Sequence, residues 1–123
     1  MINRLFKVIT LCALFSQAES QELNLNTYLW KNRVLVLEDT HKDSSDIKKA
    51  QKLLGLKEKQ LQERDLVIIS RGGQKDFKIR LIGKDGGQKW ESGPDFKIQT
   101  IFDLIDSMPM RQREMREKSQ TKE

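Results

Sequence analysis

Two runs of consecutive apolar residues lie in the middle of the chain, and each is bounded by charged residues. They cover residues 34–37 and 66–69. Continuous apolar runs of this length are typical of strands buried on both faces in the middle of a sheet, whereas a half-exposed strand alternates apolar and polar residues. The pattern therefore predicts two central strands.

The stretch between these two strands has the periodicity of a helix. Ser44 or Ser45 can cap its N-terminus, and Asp46 lies favourably in its first turn. Gly55 interrupts the stretch at a cost of about 1 kcal/mol, which predicts either a bend or two short helices. A strand, a helix and a strand in this order form a right-handed parallel unit. The apolar positions at helical spacing are Ile47, Ala50, Leu54 and Leu61.

A hairpin is predicted in the second half of the chain. Residues 77–82 largely alternate apolar and basic side chains, as a strand does, and residues 83–87 are rich in glycine. Asp85 and Gly86 are expected to supply the positive backbone angles of a tight turn. Residues 88–91 then return as the fourth strand.

A closing helix is predicted after the hairpin. Pro94 and Asp95 are expected to start it, and Pro109 is expected to end it. Four apolar residues lie on one stripe of this helix, as they do in a helix that packs on a sheet: Ile98, Ile101, Phe102 and Ile105.

The resulting order of elements, β-α-β-β-β-α, predicts an α/β fold, a thioredoxin-like minimal core. We expect a mixed four-stranded sheet with helices on both faces, formed by residues 21–109. Residues 71–76 are too few to hold the second helix of full thioredoxins. They can nevertheless cross a neighbouring strand, since an extended chain spans about 3.3 Å per residue.

Residues 110–123 form a charged C-terminal tail that is almost wholly polar. This composition predicts a frayed helix or a disordered tail. As a helix, the tail would pair Arg113 with Glu117 and Glu114 with Lys118 on a solvated face.

The N-terminal segment has the three zones of a secretory signal peptide. A basic start with Arg4 and Lys7 is followed by an apolar run over residues 8–15 and then by small and polar residues. The apolar run of about eight residues is far shorter than the roughly 20 of a membrane-spanning helix. We therefore expect residues 1–20 to be removed, after Ala18 or Ser20, and the protein to be exported to the periplasm or secreted.

Cys12 is the only cysteine of the chain, and it lies inside the apolar run of the expected signal peptide. Leu11 precedes it, whereas a lipidated cysteine follows a small residue. Cys12 is therefore interpreted as a hydrophobic residue of the signal peptide. The mature chain would then hold no thiol, which excludes dithiol exchange, thiol peroxidase and disulfide isomerase chemistry.

Length and charge restrict the classes of function. A chain of 123 residues has room for one domain, and its net charge of +5 is spread along the sequence. Nucleic-acid binders concentrate basic residues on one face with interleaved aromatic side chains, so a nucleic-acid partner is not expected.

Four short segments carry a resemblance to a known family: residues 28–33, 63–66, 83–87 and 105–111. Together they resemble an uncharacterised family of exported bacterial proteins, the domain of unknown function 4174. The resemblance implies export and a thioredoxin-like fold, and it implies no activity, ligand or catalytic residue. The loop over residues 71–76 is shorter than in the family pattern, which puts any site built on that loop in doubt.

The first candidate site is the loop after the first strand, where thioredoxin-like folds place their reactive cysteines. This loop holds Asp39, His41 and Asp43, which could bind a divalent metal or act in acid–base chemistry. A single histidine among surface charges is more often solvated, and Asp43 and Asp46 also suit the start of the following helix. No metal site, cofactor or catalytic residue is predicted.

Two further binding candidates are aromatic and basic. Trp30 and Trp90 either form an exposed aromatic patch or cover the edges of a small core, and packing is the favoured interpretation. Arg111 and Arg113 of the tail could contact an acidic partner or an anionic envelope surface.

The leading hypothesis is an exported, thiol-free thioredoxin-like module with a non-catalytic binding or accessory role in the cell envelope. The first alternative is an enzyme of unknown reaction that uses Asp39, His41 and Asp43. The second alternative is binding to the envelope surface through the basic C-terminal tail. Convergence of Asp39, His41, Trp30 and Arg111 on one cleft would indicate a shared site.

Overall fold

The computed structural model describes residues 23–121. The predicted signal peptide and Cys12 lie outside the described residues. A 3-10 helix, Asn26–Tyr28, comes first, and no described helix is long and apolar enough to cross a membrane. The remaining elements are β1 (Arg33–Glu38), α1 (Ser45–Gly55), α2 (Glu58–Glu63), β2 (Leu66–Arg71), β3 (Lys78–Ile82), β4 (Gln88–Ser92), α3 (Ile98–Asp106) and α4 (Pro109–Thr121).

The four strands form one mixed sheet in the order β2-β1-β3-β4. Strand β1 is parallel to β2 and antiparallel to β3, and β3 is antiparallel to β4. All six residues of β1 are buried, as predicted for a central strand. Strand β2 is instead an edge strand with five half-buried residues, so the prediction of burial on both faces is wrong for it.

The helices α1, α2 and α3 pack on one face of the sheet. Leu35 and Leu37 of β1 lie in a single core cluster with the apolar residues of these helices. The opposite face carries a smaller cluster around Val34 and Val36, against which Leu23, Leu25 and Tyr28 pack. Among residues 23–121, α1, α2 and α3 thus share one face, and the short 3-10 helix contributes Tyr28 to the other. The connection from β2 to β3 is too short to hold the helix that would cover the second face.

The start and the interruption of the first helical stretch are as predicted. Ser44, one of the two candidates, is the N-cap, and its Oγ accepts the Ile47 N–H at 3.1 Å. Gly55 ends α1, and α2 begins only three residues later at Glu58. Two short helices therefore replace one long helix.

The hairpin lies where it is predicted, but its turn differs. Five residues connect β3 to β4, and the loop is closed by the Gly83 N–H, which donates to the Gly87 carbonyl at 2.9 Å. Gly86 has a φ of +87°, whereas Asp85 has no positive φ. Asp85 instead accepts the Gly87 N–H through Oδ1. A Cβ atom at position 86 would lie 2.9 Å from Leu29 Cδ2, so a close approach also favours glycine there.

The last two helices begin at different residues from those predicted. Helix α3 starts at Ile98, because the preceding Lys97 is extended. Pro109 does not end that helix but is the first residue of α4, a position where proline loses no helical hydrogen bond. The charged tail is thus a helix.

Candidate functional site

The loop after β1 is closed by the connection from β2 to β3. The Gln74 N–H donates to the Asp39 carbonyl at 3.0 Å, and the Gly73 N–H donates to the Thr40 carbonyl at 2.9 Å. A Cβ atom at Gly72 would lie only 2.8 Å from the Lys42 backbone nitrogen. Backbone therefore fills the place where thioredoxin-like folds hold their reactive groups.

The three candidate residues of this loop do not form a joint site. Asp39 is buried, and its Oδ1 accepts the adjacent Thr40 N–H at 2.7 Å, which gives it a structural role at the end of β1. His41 and Asp43 are exposed. No group of three or more histidine, cysteine or acidic side chains within residues 23–121 is arranged to hold a metal ion.

Trp30 and Arg111 lie at the opposite end of the sheet. Trp30 precedes β1 and donates its N–H to the carbonyl of Lys84 in the hairpin loop, whereas Asp39 follows β1. Six steps along a strand cover about 20 Å, since each residue advances about 3.3 Å. The four candidate residues therefore do not converge on one cleft.

The segments that carry the family resemblance meet at the end of the sheet where β1 begins. We call this region the motif end. Residues 28–33 contact residues 83–87 through the Trp30 N–H, and they contact residues 63–66 through the Asn32 side chain, which donates to the Asp65 carbonyl. Residues 105–111 join them through Arg111, which donates to the Glu63 carbonyl.

A buried ion pair links the central strand to the C-terminal helix at the motif end. The Arg33 side chain is 2% exposed, and it donates to both carboxylate oxygens of Glu114 at 3.1 and 3.3 Å. Lys84 Nζ lies 2.7 Å from Glu114 Oε2 and 2.9 Å from Asp65 Oδ2. The predicted pairing of Glu114 with Lys118 is wrong, because the Glu114 carboxylate is already held by these two cations.

A second ion cluster lies beside the first and centres on Asp106. Arg64 donates to both of its carboxylate oxygens, at 3.0 and 2.8 Å, and stacks on the Phe102 ring at 4.4 Å. Arg111 adds a third hydrogen bond to Asp106 at 3.1 Å. Arg111, expected on the surface as a contact for a partner, is therefore buried within the protein.

Both of these carboxyl groups have lowered pKa values. Burial by itself raises the pKa of Asp106, but the hydrogen bonds and charges of Arg64 and Arg111 outweigh it, so the pKa falls below its usual 3.8. Burial likewise raises the pKa of Glu114, and Lys84 and Arg33 outweigh it, so the pKa falls below 4.5. Both groups are therefore charged at neutral pH.

Trp30 is the most unusual residue of the motif end. Its side chain is 66% exposed, and its backbone has a φ of +63°, in the left-handed region. This conformation costs a bulky residue roughly 1–3 kcal/mol. The expectation that Trp30 packs is therefore wrong, whereas Trp90 does pack against the core.

A groove runs between the hairpin loop and the start of α4. Its volume is about 310 Å³. Lys84 and Lys89 line one side, and Met108, Pro109 and Met110 line the other. The carbonyl of Lys84 also accepts the Trp30 N–H, so the backbone of Trp30 lies next to a residue of this groove.

Sequence analysis did not identify Arg33 and Glu114 as part of a site. A charged residue at the start of an apolar strand is ordinarily a solvated boundary, and Glu114 lies in a tail of mixed charge. One feature of the sequence could have indicated the site. Each of the four segments of the resemblance contains one of its basic residues, which are Arg33, Arg64, Lys84 and Arg111.

Residues 70–114 match the model of a family described as Domain of unknown function (DUF4174). This match confirms the resemblance found in the sequence. A stretch of 40 residues is 48% identical to "Coiled-coil domain-containing protein 80" of Danio rerio. That stretch is 32% of this chain and 5% of the relative, so the chain corresponds to a small part of that protein.

The fold is similar to that of a solved peroxiredoxin. The crystal structure of reduced Plasmodium vivax 2-Cys peroxiredoxin superposes with a TM-score of 0.56 over 76% of this chain and 86% of the other. The identity is 12%, so the likeness concerns the fold alone. The predicted α/β, thioredoxin-like fold with a mixed four-stranded sheet is confirmed.

Proposed function

We propose that this protein is an exported, non-catalytic thioredoxin-like module that binds another component of the cell envelope through its motif end. The proposal combines a confirmed fold with two properties of the chain. The loop after β1 contains no thiol and is closed by backbone contacts, and an exposed tryptophan is fixed at the other end of the sheet.

The exposure and backbone conformation of Trp30 carry the proposal. A left-handed tryptophan costs free energy, and an indole that is 66% exposed recovers little of it through packing. Strained residues of this kind concentrate at functional sites, and tryptophan is enriched among the residues that dominate binding interfaces. A role in recognition explains why the strain is kept.

The surroundings of Trp30 suit binding rather than catalysis. The charged side chains of the motif end are engaged with one another and hold the hairpin, β1 and α4 together. They fix the hairpin loop, whose Lys84 carbonyl accepts the Trp30 N–H, against the start of α4, where Met108, Pro109 and Met110 line the groove. A tryptophan side chain has only two rotatable side-chain bonds, so it loses little conformational entropy on binding.

The test is a selection of peptide ligands from a phage-displayed library on the purified product of the full chain. We expect Trp30→Ala to weaken the selected peptides by about thirtyfold, as truncation of a dominant interface residue does. His41→Ala is the matched control at the other end of the sheet and should bind as the parent does. Equal binding by the parent and Trp30→Ala would refute the assignment, as would a loss caused by His41→Ala.

The export component of the proposal has its own measurement. Mass spectrometry of the protein recovered from outside the cytoplasm should give a chain that begins at residue 19 or 21. A product that retains residue 1 would contradict export with cleavage.

The two alternative functions gain no support from a particular observation. The enzyme hypothesis needs Asp39, His41 and Asp43 to act together, but Asp39 is buried at the strand end while the other two are exposed. The tail hypothesis loses Arg111, which is committed to Asp106 and to the Glu63 carbonyl, and keeps only the exposed Arg113, Arg116 and Lys118 of the described tail. If the native protein binds no metal and a His41→Ala variant behaves as the parent does, the first alternative is dismissed.

A further inference from the structure

Strand β2 presents an open backbone edge. Arg33 N–H donates to the Asp65 carbonyl and Asp39 N–H donates to the Arg71 carbonyl, so the odd-numbered residues of β2 direct their backbone groups towards β1. Residues alternate along a strand, and the N–H and carbonyl groups of the even-numbered residues therefore point away from the sheet. These residues are Leu66, Ile68 and Ser70. Within residues 23–121, no other strand pairs with this edge.

The side chains along this edge are mainly apolar on both faces of the sheet. Ile68 packs in part against the core on the helical face, and Val67 and Ile69 pack in part against the opposite cluster. All three remain half-buried rather than fully covered. A second strand laid against the edge would cover the exposed part of each.

The two edges of the sheet differ in how they discourage pairing. Strand β4, at the far edge, carries Lys89 and Glu91, and its pairing with β3 is interrupted by an irregularity at Leu81 and Ile82. Charged side chains and bulges are the usual protection of an edge strand. Residues 66–70 have no charge, no proline and no irregularity in their register with β1. The unprotected edge is therefore specific to β2.

We propose that two copies of this chain associate through β2, edge to edge and antiparallel, with a twofold axis at Ile68. In this register Ile68 lies opposite its own copy, and Leu66 lies opposite Ser70 of the other copy. These are the residues whose backbone groups point outwards, so every outward group from 66 to 70 gains a partner. Registers centred one residue away leave at least one of the three residues unpaired.

Charge complementarity supports a second copy as the occupant. In the same register, Asp65, which directly precedes β2 with a φ of +50°, comes near Arg71 of the other copy. The Asp65 side chain is 50% exposed and the Arg71 side chain is 22% exposed, so both can reach across while they keep their contacts with Lys84 and Glu38. Opposite charges near one another on paired strands stabilise the pair, and the twofold axis makes this approach twice.

The register is tested by disulfide cross-linking of the full chain in a Cys12→Ser background. Directly opposed residues of a hydrogen-bonded pair have Cα atoms about 5.5 Å apart, within disulfide range. Ile68→Cys should therefore form a covalent dimer under mild oxidation. The matched control is Ile69→Cys, whose two copies would lie about 8 Å apart, beyond that range. Equal cross-linking of the two variants, or none of Ile68→Cys, would overturn the register.

Sedimentation across a concentration series tests the association itself. Ser70→Pro removes an outward N–H that makes no bond within the sheet, and the twofold axis removes it twice. We expect the association constant of the dimer to fall at least about thirtyfold. Ser70→Ala removes only the side-chain bond from Gln51 and should dimerise as the parent does. A parent that stays monomeric at millimolar concentration would overturn the proposal, and the Trp30 assignment would stand unaffected.

Discussion

Arg33 shows how one residue depends on a distant part of the chain. It starts the central strand, where its guanidinium is almost fully buried, and it donates to Glu114, which is 81 positions further along the sequence. A buried cation is tolerated only if it is paired and hydrogen-bonded. The stability of the strand start is therefore tied to one carboxylate on the last helix.

Replacing Glu114 with glutamine should destabilise the protein by about 2–3 kcal/mol, because Arg33 and Lys84 then lose their shared anionic partner. The free energy of unfolding in urea measures the change. Glu117→Gln is the control on the same helix, at an exposed position, and should change stability by less than about 0.5 kcal/mol. Equal effects of the two substitutions would show that the buried pair is not important for stability.

The pH dependence follows from the lowered pKa values of Asp106 and Glu114. A carboxyl group with a lower pKa in the folded state binds fewer protons there than in the unfolded state. Its stabilisation is fully present above the unfolded value and is lost as the pH falls through the folded value. Stability should thus be level at neutral pH and should fall as the pH drops below about 4.5. Glu114→Gln should show a shallower fall in the same titration.

Trp30 offers a test of strain at the scale of one residue. Glycine adopts a φ of +63° without steric cost, and the mostly exposed indole contributes little packing. Trp30→Gly should therefore leave stability unchanged or raise it by up to about 1 kcal/mol, while peptide binding is lost. A strong loss of stability would show that the indole serves packing after all.

At the scale of elements, the start of α1 depends on a single hydroxyl group. Ser44 Oγ accepts the Ile47 N–H, and Ser45 is the first residue within the helix. Ser44→Ala should cost about 1 kcal/mol of stability, whereas Ser45→Ala should be close to neutral. Thermal unfolding of the two variants measures the difference. Equal effects on stability would contradict the assignment of Ser44 as the N-cap.

Local elements were predictable from the sequence because local interactions determine them. Ser44, Gly55 and the glycine-rich turn act within a few residues, and the structure has two short helices and a hairpin where these residues predict them. The exact start of α3 was not predictable, since Lys97 is extended although Pro94 and Asp95 favour an earlier start.

Features that depend on distant parts of the chain were not predictable from one sequence. The apolar run of β2 resembles that of β1, and only the sheet order shows that β2 lies at an edge. The α-helices α1, α2 and α3 lie on one face because the connection from β2 to β3 is too short to hold a helix that would cover the other. The motif end requires Arg33, Lys84 and Glu114 to meet from three elements, and hydrophobic periodicity carries no information about such a meeting.

At the scale of the whole molecule, the two ends of the sheet have different roles. The end after β1 is closed by backbone hydrogen bonds, while the motif end joins β1, the hairpin and α4 through ion pairs. The tail is therefore part of the domain as far as Glu114, and the boundary expected at residue 109 does not separate an independent segment.

Two truncations distinguish the docked part of the tail from the remainder. A chain that stops after residue 109 loses Arg111 and Glu114, so Arg33 stays buried without its carboxylate. We expect it to lose more stability than Glu114→Gln does. A chain that stops after residue 117 keeps both contacts and should unfold at nearly the parent temperature. Similar behaviour of the two truncations would contradict a structural role for the first half of α4.

The large separation of Arg33 and Glu114 along the sequence also determines when, during synthesis, the fold can be completed. A ribosome releases the N-terminal part of a chain first, so Arg33 emerges well before the carboxylate that neutralises it. Until the last helix has emerged, the first strand cannot be buried without leaving an unpaired cation in the core. The order of synthesis therefore delays closure of the fold, and this delay is compatible with the export that we propose.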